Sequence, residues 1–389
     1  MKNNAQKQKE EIHINGKMAL AALLTFILLI GSLVPVFVGV AMDIIDARDV
    51  DVVEDDGNKD KSDKDKPDKP AVVVTKKGEK TGIELPSQTV AGTYLCNDSP
   101  SFSEISGINS GAAVLVDITG SVTVAGKNAD ARIYPASMTK IMTLLVACEN
   151  AADPNALLTV SPAMITKYSS GENQGASVGF AWAEGDQVTV EDALHLVIYK
   201  SDTFACWLLA EHIAGSEQGF VDMMNQKASA LGLTQTKFAN CTGIHSTEHY
   251  TTCREMAAIM AAVMNNSAAT QVITRKELYN VDKYKNGEKV YSEGFWSDWY
   301  SGRLEPYRYG GAAAQYAGGG SDIMIIGGKT GWETIPTSCF VTSAMNDITG
   351  RKYVCVQVGR IDSASDSING EKSTLDTRLI YREYATDPT

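Results

Sequence analysis

The sequence predicts an α/β fold of the α+β kind: an antiparallel sheet whose first and last strands pair, with a helical lobe inserted between them. Three observations predict it. Short apolar runs suited to strands lie early, at residues 112–117 and 122–125, and again late, at 323–326, 339–343 and 353–358. Helical patterns fill the middle of the chain. Thr119-Gly120 supplies a turn between the first two runs, which is a hairpin signal.

The helices are read from apolar spacing. Residues 138–149 are mostly apolar, so this helix is expected to be largely buried. Residues 190–213 carry apolar side chains at helical spacing, interrupted near Lys200-Ser201-Asp202. Residues 220–231 and 253–264 read as amphipathic helices, and a last helix is expected at 374–384. Residues 91–389 are taken as the folded domain.

The N-terminal region has a different texture. Residues 1–17 carry Lys2, Lys7, Lys9 and Lys17, and Met18 to Met42 holds 25 residues without a charge. As a helix at about 1.5 Å per residue this run spans roughly 37 Å, enough for a hydrocarbon core of about 30 Å. Asp43, Asp46, Asp49 and Asp51 follow it, so residues 1–17 are expected in the cytoplasm and the remainder outside. A cleaved signal peptide is the other reading, with Gly39-Val40-Ala41 offering small residues for cleavage. The anchor reading gives a single-pass protein of the cell membrane, and the signal reading a secreted one. Residues 43–90 read as a charged flexible linker, because 11 acidic and 6 basic side chains crowd residues 43–69. Such a segment buries too little apolar surface to offset the entropy of ordering.

Overall the chain has 389 residues, 44% apolar and 21% charged, with a formal net charge of -12. That composition supports a sizeable core and argues against a nucleic-acid partner, because phosphate binding wants a basic face. The seven cysteines leave at least one unpaired in a monomer. Cys241 and Cys253 could close a short loop in an oxidising compartment. Alternatively, most of the seven are small buried apolar residues. His245 and His249 stand four apart, but Gly243 and the polar residues around them suggest a loop, and no HExxH occurs. They are read as structural or solvent-facing, with neither a metal site nor a cofactor expected.

Two short motifs carry chemistry. Ser137 and Lys140, three apart behind Pro135, fall on one face of a helix start. A serine hydroxyl needs a base to take its proton, and a lysine can be that base if burial or positive neighbours lower its pKa. The alternative is a helix cap with a solvated lysine. Lys329-Thr330-Gly331 follows the apolar run 323–326 and Gly327-Gly328, as at a strand edge. Such an edge can hold an extended peptide by main-chain pairing. Its lysine can meet a carboxylate, its threonine can hydrogen-bond that group, and its glycine permits close approach. A second KTG at Lys80-Thr81-Gly82 lies at the end of the charged linker and is read as coincidence. Ser201-Asp202-Thr203 falls where the helical pattern breaks, so a loop there could point Ser201 into a cleft.

The segment Tyr134-Pro135-Ala136-Ser137-Met138-Thr139-Lys140 resembles the nucleophile region of low-molecular-mass penicillin-binding proteins, the serine D-Ala-D-Ala carboxypeptidases. Leu209 to Ser216, Met224-Asn225, Leu231-Gly232-Leu233, Phe238-Ala239-Asn240 with Gly243, and Gly328 to Gly331 fit the same family. The resemblance covers roughly residues 105–385 and implies a mainly antiparallel sheet flanked by helices, shared with serine β-lactamases. It implies a peptidoglycan stem peptide ending in D-Ala-D-Ala as substrate and β-lactams as inhibitors. Ser137 would be the nucleophile, Lys140 the general base and Ser201 the proton shuttle to the leaving group. Lys329, Thr330 and Gly331 would hold the terminal carboxylate, and the backbone N–H groups of Ser137 and Trp332 would form the oxyanion hole.

Two departures accompany the resemblance. The family's middle motif is Ser-x-Asn, and Thr203 stands at its third position. Threonine lacks the amide that could both donate to a substrate carbonyl and accept from Lys140. The chain also stops soon after residue 384, without the β-rich domain and amphipathic helix of many relatives, so residues 18–42 are expected to do the anchoring. Two other functions share the fold: a binding protein with an impaired site, which Thr203 suggests, and a β-lactamase, which needs an added deacylation base.

Overall fold

A computed structural model of the chain describes residues 82–170, 176, 178–297, 322–333, 337–361 and 368–385. The expected tail (1–17), the anchor or signal (18–42) and the linker as far as residue 81 lie outside the described residues. No described helix is long and apolar enough to cross a membrane.

The chain enters the fold earlier than its charge pattern suggested. Ile83 is buried, the Ser87 N–H donates to the Cys148 carbonyl, and the Val90 N–H donates to that of Asn265. Residues 83–90 are therefore bound to the domain, although the linker was expected to reach residue 90.

Two sheets organise the described residues. The larger has six strands, β1 (Asn97–Glu104), β2 (Ala112–Asp117), β3 (Val122–Lys127), β8 (Ile323–Glu333), β9 (Thr337–Asn346) and β10 (Lys352–Val358), in the order β1-β3-β2-β10-β9-β8. β1 runs parallel to β3 and the other pairs are antiparallel. As expected, an early strand pairs with a late one: Leu115 of β2 lies opposite Cys355 of β10. The sheet is covered on both faces. Ala112, Val114 and Val116 face the main core, while Ala113 and Leu115 face a second core with Ile380 and Tyr381. A strand buried on both sides needs apolar residues at every position, which is why β2 reads as a continuous apolar run.

The helices fill the middle of the chain. They are α1 (Lys140–Asn150), α2 (Pro162–Ser169), α3 (Val190–Tyr199), α4 (Thr203–Ala214), α5 (Glu217–Ala230), α6 (Cys253–Val263), α7 (Ser267–Thr274) and, after the last strand, α8 (Gly370–Tyr384). A four-stranded antiparallel sheet borders this lobe: β4 (Leu157–Thr159), β5 (Asp186–Thr189), β6 (Tyr279–Lys285) and β7 (Glu288–Phe295). No strand was expected from residues 157–159, 186–189 or 279–295, so this sheet is an addition to the predicted fold. α8 closes the far face, where Asp376 accepts from the Ser110 N–H at 2.7 Å and from the Ser110 hydroxyl at 2.6 Å. All seven cysteines are buried and unbridged, so Cys241 and Cys253 close no loop.

Candidate active site

Pro135 caps a one-turn 3-10 helix, Ala136–Thr139, that runs directly into α1. In a 3-10 turn, side chains three apart eclipse, so Ser137 and Lys140 stack over one another. The Lys140 ammonium nitrogen lies 3.2 Å from Ser137 Oγ and also donates to the Thr242 carbonyl. Lys140 is 1% exposed, whereas Ser137 is half-buried and can be reached. Burial pushes the Lys140 pKa down, partly opposed by the negative groups around it, including Asp202 and Glu333. A buried lysine touching a serine hydroxyl is biased towards the neutral form that a base requires.

A loop at residues 239–243 runs along this turn. Asn240 Oδ1 accepts from the backbone N–H groups of Thr242, at 3.1 Å, and Gly243, at 2.7 Å. That turn presents the Thr242 carbonyl to Lys140. The Thr143 hydroxyl holds the neighbouring Cys241 carbonyl at 2.7 Å. Gly243, at φ +84, lies so close that a Cβ atom there would stand 2.0 Å from the Ala136 carbonyl oxygen. Only glycine fits both the left-handed backbone and that gap.

His249 ties the loop to the same turn. Its Nδ1 accepts from the Ala239 N–H at 3.2 Å, so Nε2 carries the proton and donates to Thr139 Oγ1 at 2.7 Å. Burial, first, and the charges of His245 and Lys140 push its pKa down to about 3. His245 is exposed and packs edge-on against Tyr134, so the two histidines have separate partners. The structural reading of His249 is the one the geometry supports.

The Lys329-Thr330-Gly331 motif reaches this turn. β8 is an edge strand of the larger sheet, and it carries Lys329, Thr330 and Gly331 past the nucleophile turn. A Cβ on Gly331 would meet the Ser137 nitrogen at 3.3 Å and Cys339 Sγ at 2.6 Å, so this glycine permits the close approach. Lys329 is 1% exposed and donates to the Thr330 carbonyl at 2.8 Å. Trp332, one residue further along β8, is 68% exposed. Cys206, one helical turn into α4, is pushed up to about 12 by burial, with the positive charges of Lys140 and Lys329 opposing.

Ser201 stands between α3 and α4 with a left-handed backbone, φ +56. Its hydroxyl is buried and makes no hydrogen bond among the described residues. Thr203 is the first residue of α4 and is 1% exposed. Its neighbour Asp202 is the cap of that helix.

A family model described as D-alanyl-D-alanine carboxypeptidase matches residues 99–297, just over half of the chain. The chain belongs to this family. Among curated members, it is 32% identical to the D-alanyl-D-alanine carboxypeptidase DacC of Escherichia coli over 185 residues, 47% of this chain and 46% of that protein. Against DacF of Bacillus subtilis the figures are 33% over 175 residues, 44% of each chain. The aligned stretch therefore spans less than half the length of these relatives.

Solved structures show the same fold over more of the chain. A DD-transpeptidase from Streptomyces superposes with a TM-score of 0.59 at 23% identity, covering 72% of this chain and 99% of that one. A penicillin-binding protein homologue from Mycobacterium tuberculosis superposes with a TM-score of 0.55 at 20% identity, covering 75% and 96%. The expected mixed fold of antiparallel sheets and helices is thus shared with these structures. Asn240, Thr242, Gly243, Asp202 and His249 were not among the expected site residues. The match at Phe238-Ala239-Asn240 and Gly243 was the signal that could have found the loop.

Proposed function

We propose that the chain is a serine D-alanyl-D-alanine carboxypeptidase acting on peptidoglycan stem peptides through an acyl-enzyme, and that penicillin acylates it. The observation that carries this reading is the 3.2 Å contact between the buried Lys140 nitrogen and Ser137 Oγ. Lys140 takes the hydroxyl proton as Ser137 attacks the carbonyl between the two D-alanines. The N–H groups of Ser137 and Trp332 receive the developing oxyanion, and each such donor is typically worth about 3–4 kcal/mol. Ser201 passes a proton to the leaving amine. Lys329 and Thr330 hold the terminal carboxylate, with Gly331 giving it room. Water then releases the acyl group.

Residues 18–42 would anchor the protein and place this domain outside the cytoplasm, or would be cleaved to release it. The uncharged run flanked by Lys17 and Asp43 supports the anchor.

The test is incubation of the full chain with penicillin, followed by peptide mass spectrometry. An adduct on Ser137, absent from Ser137→Ala, is expected. An adduct elsewhere, or none on folded protein, sinks the assignment. Hydrolysis of a D-Ala-D-Ala peptide then separates the enzyme from a binding protein with an impaired site, the reading that Thr203 favours.

A further inference from the structure

Resting on that reading, we propose that Asp202 is a positioning residue for the Ser201 hydroxyl, fastening the strained Ser201 backbone to the start of α4 and to the segment at Gly179–Trp182. Asp202 is 0% exposed. Its Oδ1 accepts from the Ala205 N–H at 2.9 Å, capping α4. Its Oδ2 accepts from the Gly179 N–H at 3.0 Å, and the Trp182 indole N–H reaches both oxygens at 3.1–3.2 Å. All of these partners donate, so the site suits a carboxylate, which accepts at both oxygens.

The surroundings leave little slack. The Asp202 N–H reaches back across Ser201 to the Leu196 carbonyl at 3.1 Å, closing α3. A Cβ on Gly179 would stand 2.0 Å from Cβ of Lys200, so the backbone at Gly179 lies directly against the residue before Ser201. Trp182 stacks on Phe204 with ring centroids 5.8 Å apart, and Phe180 packs edge-on against Trp182 at 5.1 Å. Ser201 is thus held in a left-handed conformation, φ +56, that residues other than glycine disfavour. Such strain persists only where the surroundings over-determine it. What it secures is a buried hydroxyl without a partner among the described residues, held available for a substrate.

Asp202→Asn is the informative variant. It keeps the shape and one acceptor, but turns an amide N–H towards donors. A cap serving stability alone would slow every substrate alike. A residue that positions the proton shuttle matters only when the leaving group needs a proton. The full chain and its variant are assayed with a D-Ala-D-Ala peptide, whose amine must be protonated, and with the matching thiolester, whose thiolate leaves unaided.

The variant is expected to lose at least about tenfold in kcat/KM on the peptide and to stay within about twofold on the thiolester, since a positioned acid contributes about 10²–10⁴. Equal losses on both substrates, or no loss on either, overturn the proposal. If thermal melting shows Asp202→Asn unfolded, Trp182→Phe, which removes one donor and keeps the ring, takes its place with the same expectation. Amide hydrogen exchange at Gly179 and Ala205 is followed in parallel. It should quicken in Asp202→Asn, and unchanged exchange overturns the anchoring whatever the activity. A parent chain that gives no Ser137 adduct with penicillin sinks the hydrolase reading, and the exchange measurement alone then decides the anchor.

Discussion

Gly243 abuts Ala136, with room for no Cβ atom: one placed there would lie 2.0 Å from the Ala136 carbonyl oxygen and 3.0 Å from the Ser137 nitrogen. The nucleophile turn is therefore shaped by a residue more than a hundred positions away in sequence. Gly243→Ala must move that turn, and it also places alanine at φ +84. Penicillin labelling of Ser137 is expected to slow at least about tenfold, because acylation depends on sub-ångström placement of the attacking oxygen. The left-handed backbone alone should cost about 1–2 kcal/mol of stability. Stopped-flow acylation and thermal melting check both. A variant that labels at the parent rate would show that the turn does not depend on the glycine.

Burial holds the Lys140 pKa below its ordinary value of 10.5, which fixes two pH dependences of known sign. Acylation needs the neutral amine, so its rate should rise with pH and level off before pH 10.5. The unfolded chain keeps this proton to higher pH than the fold does. In the window between the folded pKa and 10.5 the unfolded state binds more protons, so stability rises with pH there. Lys140→Met should abolish acylation and remove that alkaline rise. Denaturant melts of parent and variant across the window test it, and parallel curves would contradict the buried-base geometry.

The legible parts of the molecule were those whose cause is local. β2 announced itself because a strand covered on both faces is mostly apolar, and β9 and β10 showed as shorter apolar runs at 339–341 and 353–356. The break between α3 and α4 showed where Lys200, Ser201 and Asp202 interrupt the apolar spacing. The β6–β7 hairpin was also written locally, in Asn286-Gly287, whose residues take φ 52 and φ 82. It escaped because its strands are largely polar and half-exposed. Ser137 and Lys140 could be paired from spacing alone, since a single turn brings them together. Asp202 and His249 could not. A buried carboxylate facing Trp182 and a loop polar residue look alike in sequence, and the contacts of His249 with Thr139 and Ala239 exist only after the chain has folded.

Thr203 tests how the middle motif works. Threonine and asparagine have similar volumes, so Thr203→Asn can be accommodated at a position 1% exposed. If Thr203 stands where the family's asparagine does, the new amide can donate to a substrate carbonyl and accept from Lys140. The peptidase rate, measured by D-alanine release, should then increase. An unchanged or lower rate would count against that alignment and leave the middle motif to Ser201 and Asp202.

His249 makes the nucleophile turn a source of acid sensitivity. Its Nδ1 accepts from the Ala239 N–H, so protonating that nitrogen would set two donors face to face in a buried site. The folded pKa is down at about 3, against 6.5 for an ordinary histidine. Above pH 6.5 neither folded nor unfolded chain carries this proton, and the full stability is present. As pH falls from 6.5 towards 3 the unfolded chain takes up a proton that the folded one refuses, so stability is lost across that window. At about 1.36 kcal/mol per pH unit the loss is on the order of 4 kcal/mol. His249→Gln has nothing to titrate there and should flatten the curve between pH 6.5 and 3 in urea melts. If parent and variant lose stability in step, another group governs the acid limb, and His249 serves the turn only through its hydrogen bond to Thr139.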